Sequence, residues 1–266
     1  MKPNPLCPSQ IAVSSLKLKY LMRALLFWFT LSLVPVFAPP NPLRAQAVLV
    51  TGRIELVSRA NPEKPAENAN AVVWLVPMAA AQTNMFQRTP RRRFRLIQQR
   101  KRFEPHLLVV AVGSTVEFPN LDPFFHNVFS LFEGKRFDLG LYEAGTNHAV
   151  NFDRPGISYI FCNIHPEMSA VIVAVNTPYY AVSSRSGEVT IPNVPSGAYR
   201  LQVWHERSLP QGVKDVPLQI AVSEKEHDLG TIRLPRSGEL IARHKNKYSK
   251  DYIPPNPPGP FYENHD

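Results

Sequence analysis

The ten residues 159–168, Tyr-Ile-Phe-Cys-Asn-Ile-His-Pro-Glu-Met, constrain the fold of this chain more than any other stretch. They place Cys162, His165 and Met168 in a Cys-x2-His-x2-Met spacing, directly after an apolar run with strand character. A thiolate, an imidazole and a weakly bound thioether are ligands of a mononuclear blue-copper centre, which needs one further histidine. His126, upstream in the chain, supplies it. The sequence therefore predicts one copper ion bound by His126, Cys162, His165 and Met168.

These four residues, in this order, resemble the cupredoxin family, whose members include plastocyanin, pseudoazurin and amicyanin. The step His126-Asn127-Val128 after a proline-containing loop looks plastocyanin-like, and the short Cys-His-Met loop is similar in spacing to that of amicyanin. The resemblance covers residues 113–175. It implies a Greek-key β-sandwich with one type 1 copper that transfers electrons. It also implies that the amide of Asn127 fixes the loop that holds Cys162.

Each proposed ligand also has a less specific interpretation. A lone buried cysteine is often only a small hydrophobic residue, and a methionine that opens a strand often fills a core. A single histidine is more often structural than metal-binding, but two histidines placed around a cysteine reverse that expectation. Zinc rarely takes a thioether and prefers harder or more numerous anionic ligands. Copper is therefore the predicted metal.

The remainder of the chain predicts short strands. Its 27 prolines against 12 glycines favour many short segments broken by turns over long helices. From residue 103 onward, apolar runs and period-two stretches such as 115–118 alternate with turn sequences such as Asp-Arg-Pro-Gly at 153–156. This spacing predicts an all-β chain built of β-sandwiches. The basic stretch 79–102 lacks a clean period and is predicted to be a connector.

A second resemblance concerns residues 195–204, Pro-Ser-Gly-Ala-Tyr-Arg-Leu-Gln-Val-Trp. The proline-glycine turn and the Tyr-x-Leu-x-Val strand look like the carboxypeptidase regulatory-like (transthyretin-like) domain, whose opening strands residues 48–77 supply. This resemblance implies a second sandwich made of 48–82 and 177–240, with the cupredoxin domain, 96–176, inserted in it or adjoining it. Chains with this two-module layout are often labelled methylamine utilisation proteins, a name that implies an amine dehydrogenase partner.

Residues 1–47 predict an export signal. Basic residues precede the apolar run 24–38, and Ala-Gln-Ala at 45–47 offers a small-x-small cleavage site. The apolar run contains Pro35 and is short for a membrane span, so an uncleaved anchor is the alternative. Met22 is a possible true start of the chain. The protein is therefore expected in the periplasm or otherwise exported, with membrane contact only through an uncleaved signal.

The cysteine count supports an occupied metal site. The chain has two cysteines, and Cys7 would leave with the signal. Cys162 would then be alone in an oxidising compartment, where it could form no internal disulfide. A lone exported thiol is a liability unless something occupies it, and copper would.

The formal net charge of +9 is concentrated in part in the basic run 88–102. Such a run can indicate nucleic-acid binding, but an exported protein rarely meets nucleic acid, so no nucleic-acid partner is expected. The run is predicted to be a solvated loop or a docking site for an acidic partner. The segment 241–266 is basic and then proline-rich, and it is predicted to be an extended tail.

The predicted function is that of an exported type 1 copper protein that carries single electrons between redox partners. These partners are expected to dock near His165, where Phe124, Phe125 and Pro166 would form an apolar patch. A copper-handling or sensing protein without redox turnover is one alternative, and an adhesion or assembly module is the other. No enzymatic activity is expected, because the sequence contains no His-x-His pair, no glycine-rich phosphate loop and no nucleophile elbow.

Overall fold

The structure of the protein is a computed structural model that describes residues 47–57, 69–79, 92–131, 134–208, 219–236 and 245–252. All regular secondary structure in these ranges is β-strand, which confirms the predicted all-β fold class. Within the same ranges, no helix long and apolar enough to cross a membrane occurs. The strands are β1 (Ala47–Val57), β2 (Val72–Pro77), β3 (Arg93–Arg95), β4 (Ile97–Gln99), β5 (Arg102–Glu104), β6 (Leu107–Ala111), β7 (Ser114–Pro119), β8 (His126–Ser130), β9 (Phe137–Tyr142), β10 (Asn147–Phe152), β11 (Gly156–Phe161), β12 (Ser169–Val175), β13 (Tyr180–Val182), β14 (Glu188–Pro195), β15 (Gly197–Trp204), β16 (Gln219–Val222) and β17 (Asp228–Pro235).

Two sheets form what we call the split sandwich, because its strands come from two separate stretches of the chain. One sheet has the strand order β14-β1-β17 and the other β13-β2-β15-β16. β1 lies between β14, which is antiparallel to it, and β17, which is parallel. Buried and exposed side chains alternate along β14 and β15, so the sheets turn apolar faces toward one another. The resulting core includes Val50, Ile54, Leu75, Ile191, Tyr199, Leu201 and Leu234.

Two further sheets form what we call the ligand sandwich, because it carries the four residues that the sequence proposes as metal ligands. Their strand orders are β10-β7-β3 and β6-β12-β11-β8-β9. The separate hairpin of β4 and β5 contributes Phe103 to the core between them. That core also includes Val116, Phe118, Val128, Phe152, Ile160, Cys162, Met168 and Ile172.

Strand β12 is buried on both faces because each face packs against a different sandwich. Alternate residues beginning with Ala170 belong to the core of the ligand sandwich. Those beginning with Val171 form a separate apolar cluster with Val72 and Trp204 of the split sandwich. A strand covered on both faces has a continuous apolar sequence, and β12 reads Ser-Ala-Val-Ile-Val-Ala-Val.

An ion pair joins the two sandwiches beside this apolar cluster. His106 precedes β6, and its Nε2 lies 2.7 Å from Oε2 of Glu206, which follows β15. The other ring nitrogen of His106, Nδ1, donates to the carbonyl of Ser169 at 3.1 Å. The hydrogen bond with Glu206 raises the pKa of His106 and outweighs the opposing effect of burial.

Two segments depart from the sequence-based expectations. Within the predicted connector 79–102, β3 pairs in parallel with β7, and β4 pairs with β5. Leu96 and Gln98 are fully buried there, but the charged residues around them hide this alternation in the sequence. In the predicted tail, residues 245–252 make specific contacts with the ligand sandwich. The export signal before Ala47 and the proline-rich end of the chain lie outside the described residues.

Candidate metal centre

Two neighbouring strands and one tight loop deliver the proposed ligands to one end of the ligand sandwich. His126 opens β8, and Cys162 directly follows β11, which is antiparallel to β8. The loop after Cys162 closes on itself, because the Met168 N–H donates to the His165 carbonyl at 3.0 Å. The Cys162 N–H then donates to the Met168 carbonyl at 3.3 Å. These bonds hold Cys162 and Met168 opposite one another at the base of the loop.

Three of the four proposed ligands place their donor atoms within bonding reach of one small ion. The Nδ1 atoms of His126 and His165 are 3.1 Å apart. The Cys162 sulfur lies 3.8 Å from Nδ1 of His126 and 3.6 Å from Nδ1 of His165. Metal bonds of about 2.0 Å to nitrogen and about 2.3 Å to sulfur put neighbouring donors roughly 3 to 4 Å apart. The spacing of the three donors therefore fits a single metal ion, and a His-Cys-His site exists in the described residues.

The fourth proposed ligand, Met168, is fully buried in the same core cluster as Cys162. His126 and Cys162 are also fully buried, whereas His165 is partly exposed. The two histidines therefore differ in depth: His126 lies inside the sandwich, and His165 reaches its surface. Of the two histidines, His165 is therefore the one that solvent reaches.

Asp122 contacts the His-Cys-His site, and sequence reasoning missed it. Its Oδ2 lies 2.9 Å from Nε2 of His126, and its carboxylate accepts the backbone N–H groups of Arg100 at 2.6 Å and Lys101 at 2.9 Å. If Nε2 of His126 donates to this carboxylate, Nδ1 presents its lone pair to the site. The only signal in the sequence is an aspartate four residues before a proposed ligand.

The pKa of Asp122 shows which of its contacts dominate. Burial acts to raise this pKa, but the hydrogen bonds from the Lys101 N–H and the His126 ring outweigh it. The Arg100 N–H acts in the same direction, and the net pKa of Asp122 is below its ordinary value. Asp122 is therefore a carboxylate held beside His126.

Burial shifts the pKa values of two of the three proposed donors, Cys162 and His165. It raises the pKa of the Cys162 thiol, and hydrogen bonds from the backbone N–H groups of Asn127, Ile164 and His165 only partly oppose it. Burial also lowers the pKa of His165. The lowered pKa favours the neutral imidazole of His165, which is the form that binds metals, and the raised pKa favours the protonated thiol of Cys162, which would lose its proton on binding a metal.

The side chain of Asn127 does not act as the cupredoxin resemblance implies. Its Nδ2 donates to Asp138 Oδ1 at 2.8 Å and to the Gly140 carbonyl at 2.7 Å, both on β9. The contact with Cys162 comes from the backbone N–H of Asn127 instead. The amide therefore fixes β8 to β9, and the main chain of β8 supports the sulfur.

Residues 245–252, which we call the tail strap, pack against the ligand loop. The Tyr252 hydroxyl donates to the Cys162 carbonyl at 2.8 Å, and the Lys247 N–H donates to Asn163 Oδ1 at 3.0 Å. The Lys247 ammonium also lies 2.9 Å from Asp138 Oδ2. The strap therefore holds the main chain at Cys162 from outside the sandwich, a role that no motif in this basic segment indicates.

An aromatic side chain, Phe124, lies against both histidine rings at the surface of the ligand sandwich. The ring centroid of Phe124 lies 5.2 Å from that of His126 and 5.7 Å from that of His165. Phe124 is 36% exposed and Phe125 is 51% exposed. Pro166 is exposed on the ligand loop itself. The apolar groups expected around His165 are thus at the surface, and Phe124 contacts its ring.

No protein-family model matches this sequence, and no curated protein matches it. Among solved structures, a Cu-containing nitrite reductase from Thermus scotoductus SA-01 is similar over 31% of this chain and only 22% of its own length, with 26% identity and a TM-score of 0.30. A purple cupredoxin from Nitrosopumilus maritimus is similar over 31% of this chain and 99% of its own, with 22% identity and a TM-score of 0.28. Amicyanin from Paracoccus versutus is similar over 38% and 91%, with 18% identity and a TM-score of 0.29. Each likeness is confined to part of this chain, so the site is interpreted from its own geometry.

Proposed function

We propose that this protein binds one type 1 copper ion through His126, Cys162 and His165, with Met168 as a weak axial ligand, and carries single electrons between redox partners. The observation that carries this proposal is the convergence of two imidazole nitrogens and one sulfur, 3.1 to 3.8 Å apart, at one end of a sandwich. A neutral imidazole pair with a thiolate is the donor set that blue-copper sites use. When bound there, copper would supply a one-electron couple.

The residues around the donors support electron transfer over storage. Asp122 holds the His126 ring, the loop hydrogen bonds hold Cys162, and the tail strap holds the loop. Donors held on several sides change position little, which favours fast one-electron exchange. Met168 adds a thioether that a storage site does not need. The half-buried His165 ring, next to Phe124, is the proposed point at which electrons leave or enter.

The wider organisation that we propose follows from the sequence. The chain would be exported after removal of residues 1–47, and it would act as a carrier with no enzymatic activity of its own. We propose a cupredoxin domain at 96–176 and a second β-sandwich domain at 48–82 and 177–240. A redox partner would dock near His165.

An absorption spectrum of the copper-loaded protein tests the proposal. The oxidised protein should be intensely blue, because thiolate-to-copper charge transfer absorbs visible light. Cys162→Ser should lose this band and most of the copper affinity, because a neutral hydroxyl cannot replace a thiolate. Circular dichroism of that variant serves as the control for folding. A colourless wild-type copper complex would contradict electron transfer and favour a copper-handling protein.

A further inference from the structure

The turn that joins β4 to β5 has an unusual backbone for its sequence. Arg100 and Lys101 occupy its two central positions with φ of 56° and 54°. Two-residue hairpin turns with both φ values positive favour Asn-Gly or Gly-Gly, since larger side chains are strained in this region. A less strained sequence was therefore possible, yet two cations occupy the turn.

The turn is fixed to the metal centre through its main chain. Asp122 accepts the N–H groups of Arg100 and Lys101, and the same carboxylate lies 2.9 Å from Nε2 of His126. The charged ends of the two turn side chains take no part in this contact. The fold therefore uses the backbone of the turn and leaves its charges available.

The cations of the turn are exposed and unpaired within the described residues. Arg100, Lys101 and Arg102 are all exposed, and none forms an ion pair with another residue of the described chain. Nearby on β3, Arg93 and Arg95 are by contrast both paired with Glu117, at 2.6 and 3.6 Å. The turn thus concentrates positive side chains that form no ion pair with a described acid, while the Asp122 carboxylate beside it is bonded to main-chain N–H groups and to His126.

The turn also borders Phe124, the aromatic side chain that lies against both histidine rings. The Lys101 ammonium lies 5.7 Å from the ring centroid of Phe124, and that ring lies 5.7 Å from the ring of His165. A cation in this position remains solvated while contacting the ring face. The charged turn, Phe124 and the exposed edge of His165 are therefore neighbours on one surface.

We propose that Arg100, Lys101 and Arg102, together with Phe124, form a docking surface for an acidic redox protein. This inference rests on the proposed electron transfer, because an electron carrier must meet its protein partner at the point where electrons leave. Cations beside the exit would steer carboxylates toward it and raise the association rate. The aromatic ring would supply a small dry contact, which suits the brief complexes of redox partners.

Binding of poly-L-glutamate to the copper-free protein tests the surface without any redox reaction. Amide signals of 100–102 and 124 should shift on titration, and binding should weaken as salt rises. In Arg100→Asn/Lys101→Gly, affinity should fall by roughly three- to tenfold at low salt. This double variant places favoured residues in the turn, so its fold should be at least as stable as the wild type.

A matched control removes two cations elsewhere. Arg185 and Arg200 are exposed residues of the split sandwich, and Arg185→Gln/Arg200→Gln should bind poly-L-glutamate almost as the wild type does. Equal loss in both double variants would mean that only net charge matters and would overturn the proposal. Tighter binding of a single-stranded oligonucleotide or of phosphatidylglycerol vesicles than of poly-L-glutamate would also overturn it.

A second measurement separates failure of this inference from failure of the proposed function. Reduction of the copper-loaded protein by hexacyanoferrate(II), an anion, should slow at low ionic strength in Arg100→Asn/Lys101→Gly, which keeps both main-chain N–H groups that Asp122 accepts. A colourless copper protein whose apo form still binds poly-L-glutamate at the turn would refute electron transfer and leave a surface for an acidic partner without a redox role. A blue protein with unchanged binding and rate in the double variant would refute the docking surface alone.

Discussion

The two sandwiches share an architecture but fill their interiors differently. The core of the split sandwich consists of aliphatic side chains and Tyr199. The ligand sandwich buries more polar side chains beside its apolar core, including Gln98, Asp122 and His126, than the split sandwich, where Ser183, His205 and Ser208 are buried at the strand ends. Of the five buried polar side-chain atoms without a hydrogen-bond partner among the described residues, Gln98 Oε1, Ser114 Oγ, Asn127 Oδ1 and Ser130 Oγ lie in the ligand sandwich, and Ser208 Oγ follows β15 of the split sandwich. Most of the buried polar groups, which are costly, thus lie in the sandwich that carries the candidate site.

The largest predicted effect is a loss of unfolding free energy when the apolar core of the split sandwich is truncated. Ile54 is fully buried in β1, and Ile54→Ala should lower the free energy of unfolding by about 2–5 kcal/mol through lost burial and a cavity. Denaturant unfolding of the copper-free protein measures this loss. Val57→Ala, at the partly exposed end of the same strand, is the control. If copper binding by the folded Ile54→Ala protein also collapsed, the two interiors would not be separable as described.

The next effect concerns the carboxylate behind His126. Asp122→Asn keeps the size of the side chain but removes its charge, and copper affinity should fall by roughly 10- to 100-fold. Competition with a chelator of known affinity measures the change. Asp153→Asn, which alters an exposed ion pair with Lys135, should leave affinity unchanged. Wild-type affinity in Asp122→Asn would show that the orientation of the ring does not depend on this carboxylate.

A smaller effect is expected at the tail strap. Tyr252→Phe removes the hydroxyl that donates to the Cys162 carbonyl and should cost about 1 kcal/mol of unfolding free energy. Copper release should also become faster, because the ligand loop loses an external support. Tyr248→Phe is the matched control, since Tyr248 lies in the same strap but is 67% exposed. Identical behaviour of both variants would mean that the strap does not support the loop.

The smallest effect belongs to the ion pair between the sandwiches. The pKa of His106 is raised by Glu206, so the pair stabilises the fold fully below the unfolded histidine pKa of about 6.5. The contribution is lost as pH rises through the higher pKa of the folded state. Because the His106 side chain is 45% exposed, the gain should stay below about 1 kcal/mol.

Unfolding of wild type and Glu206→Gln at two pH values measures this contribution. The wild type should be the more stable of the two in mild acid, and the difference should vanish in mild alkali. Glu188→Gln, in an exposed ion pair with Arg53 within the split sandwich, is the control without a histidine. A difference that persisted in alkali would assign the stability to packing and not to charge.

The sequence was most informative where the chemistry is local. Cys162, His165 and Met168 lie in one short loop, so their spacing alone predicts a shared site, and His126 completes the set. The role of Asp122 could not be predicted, because it depends on a hairpin turn about twenty residues earlier that no periodicity reveals. The tail strap was missed for the same reason: Lys247 and Asn163 are separated by 84 positions.

The failed expectation for Asn127 has a different origin. A family resemblance transfers the residue type at a position but not the partner of its side chain. In this chain Asp138 and Gly140 on β9 offer hydrogen-bond acceptors to the amide. The amide donates to these two acceptors, and the backbone N–H of Asn127, not its side chain, contacts the Cys162 sulfur.

The position of β1 in the chain determines the order in which the two sandwiches can form during synthesis. This strand is made early, but its neighbours β14 and β17 begin only at Glu188 and Asp228. Every strand of the ligand sandwich is complete by Val175, so that half of the molecule can assemble while β1 still lacks partners. Until β14 and β17 are made, the apolar face of β1 is uncovered. A chain interrupted at that stage would expose this face and tend to aggregate. The strands that hold the proposed copper ligands are therefore made before the split sandwich can be completed, and the tail strap is the last of the described segments to be made.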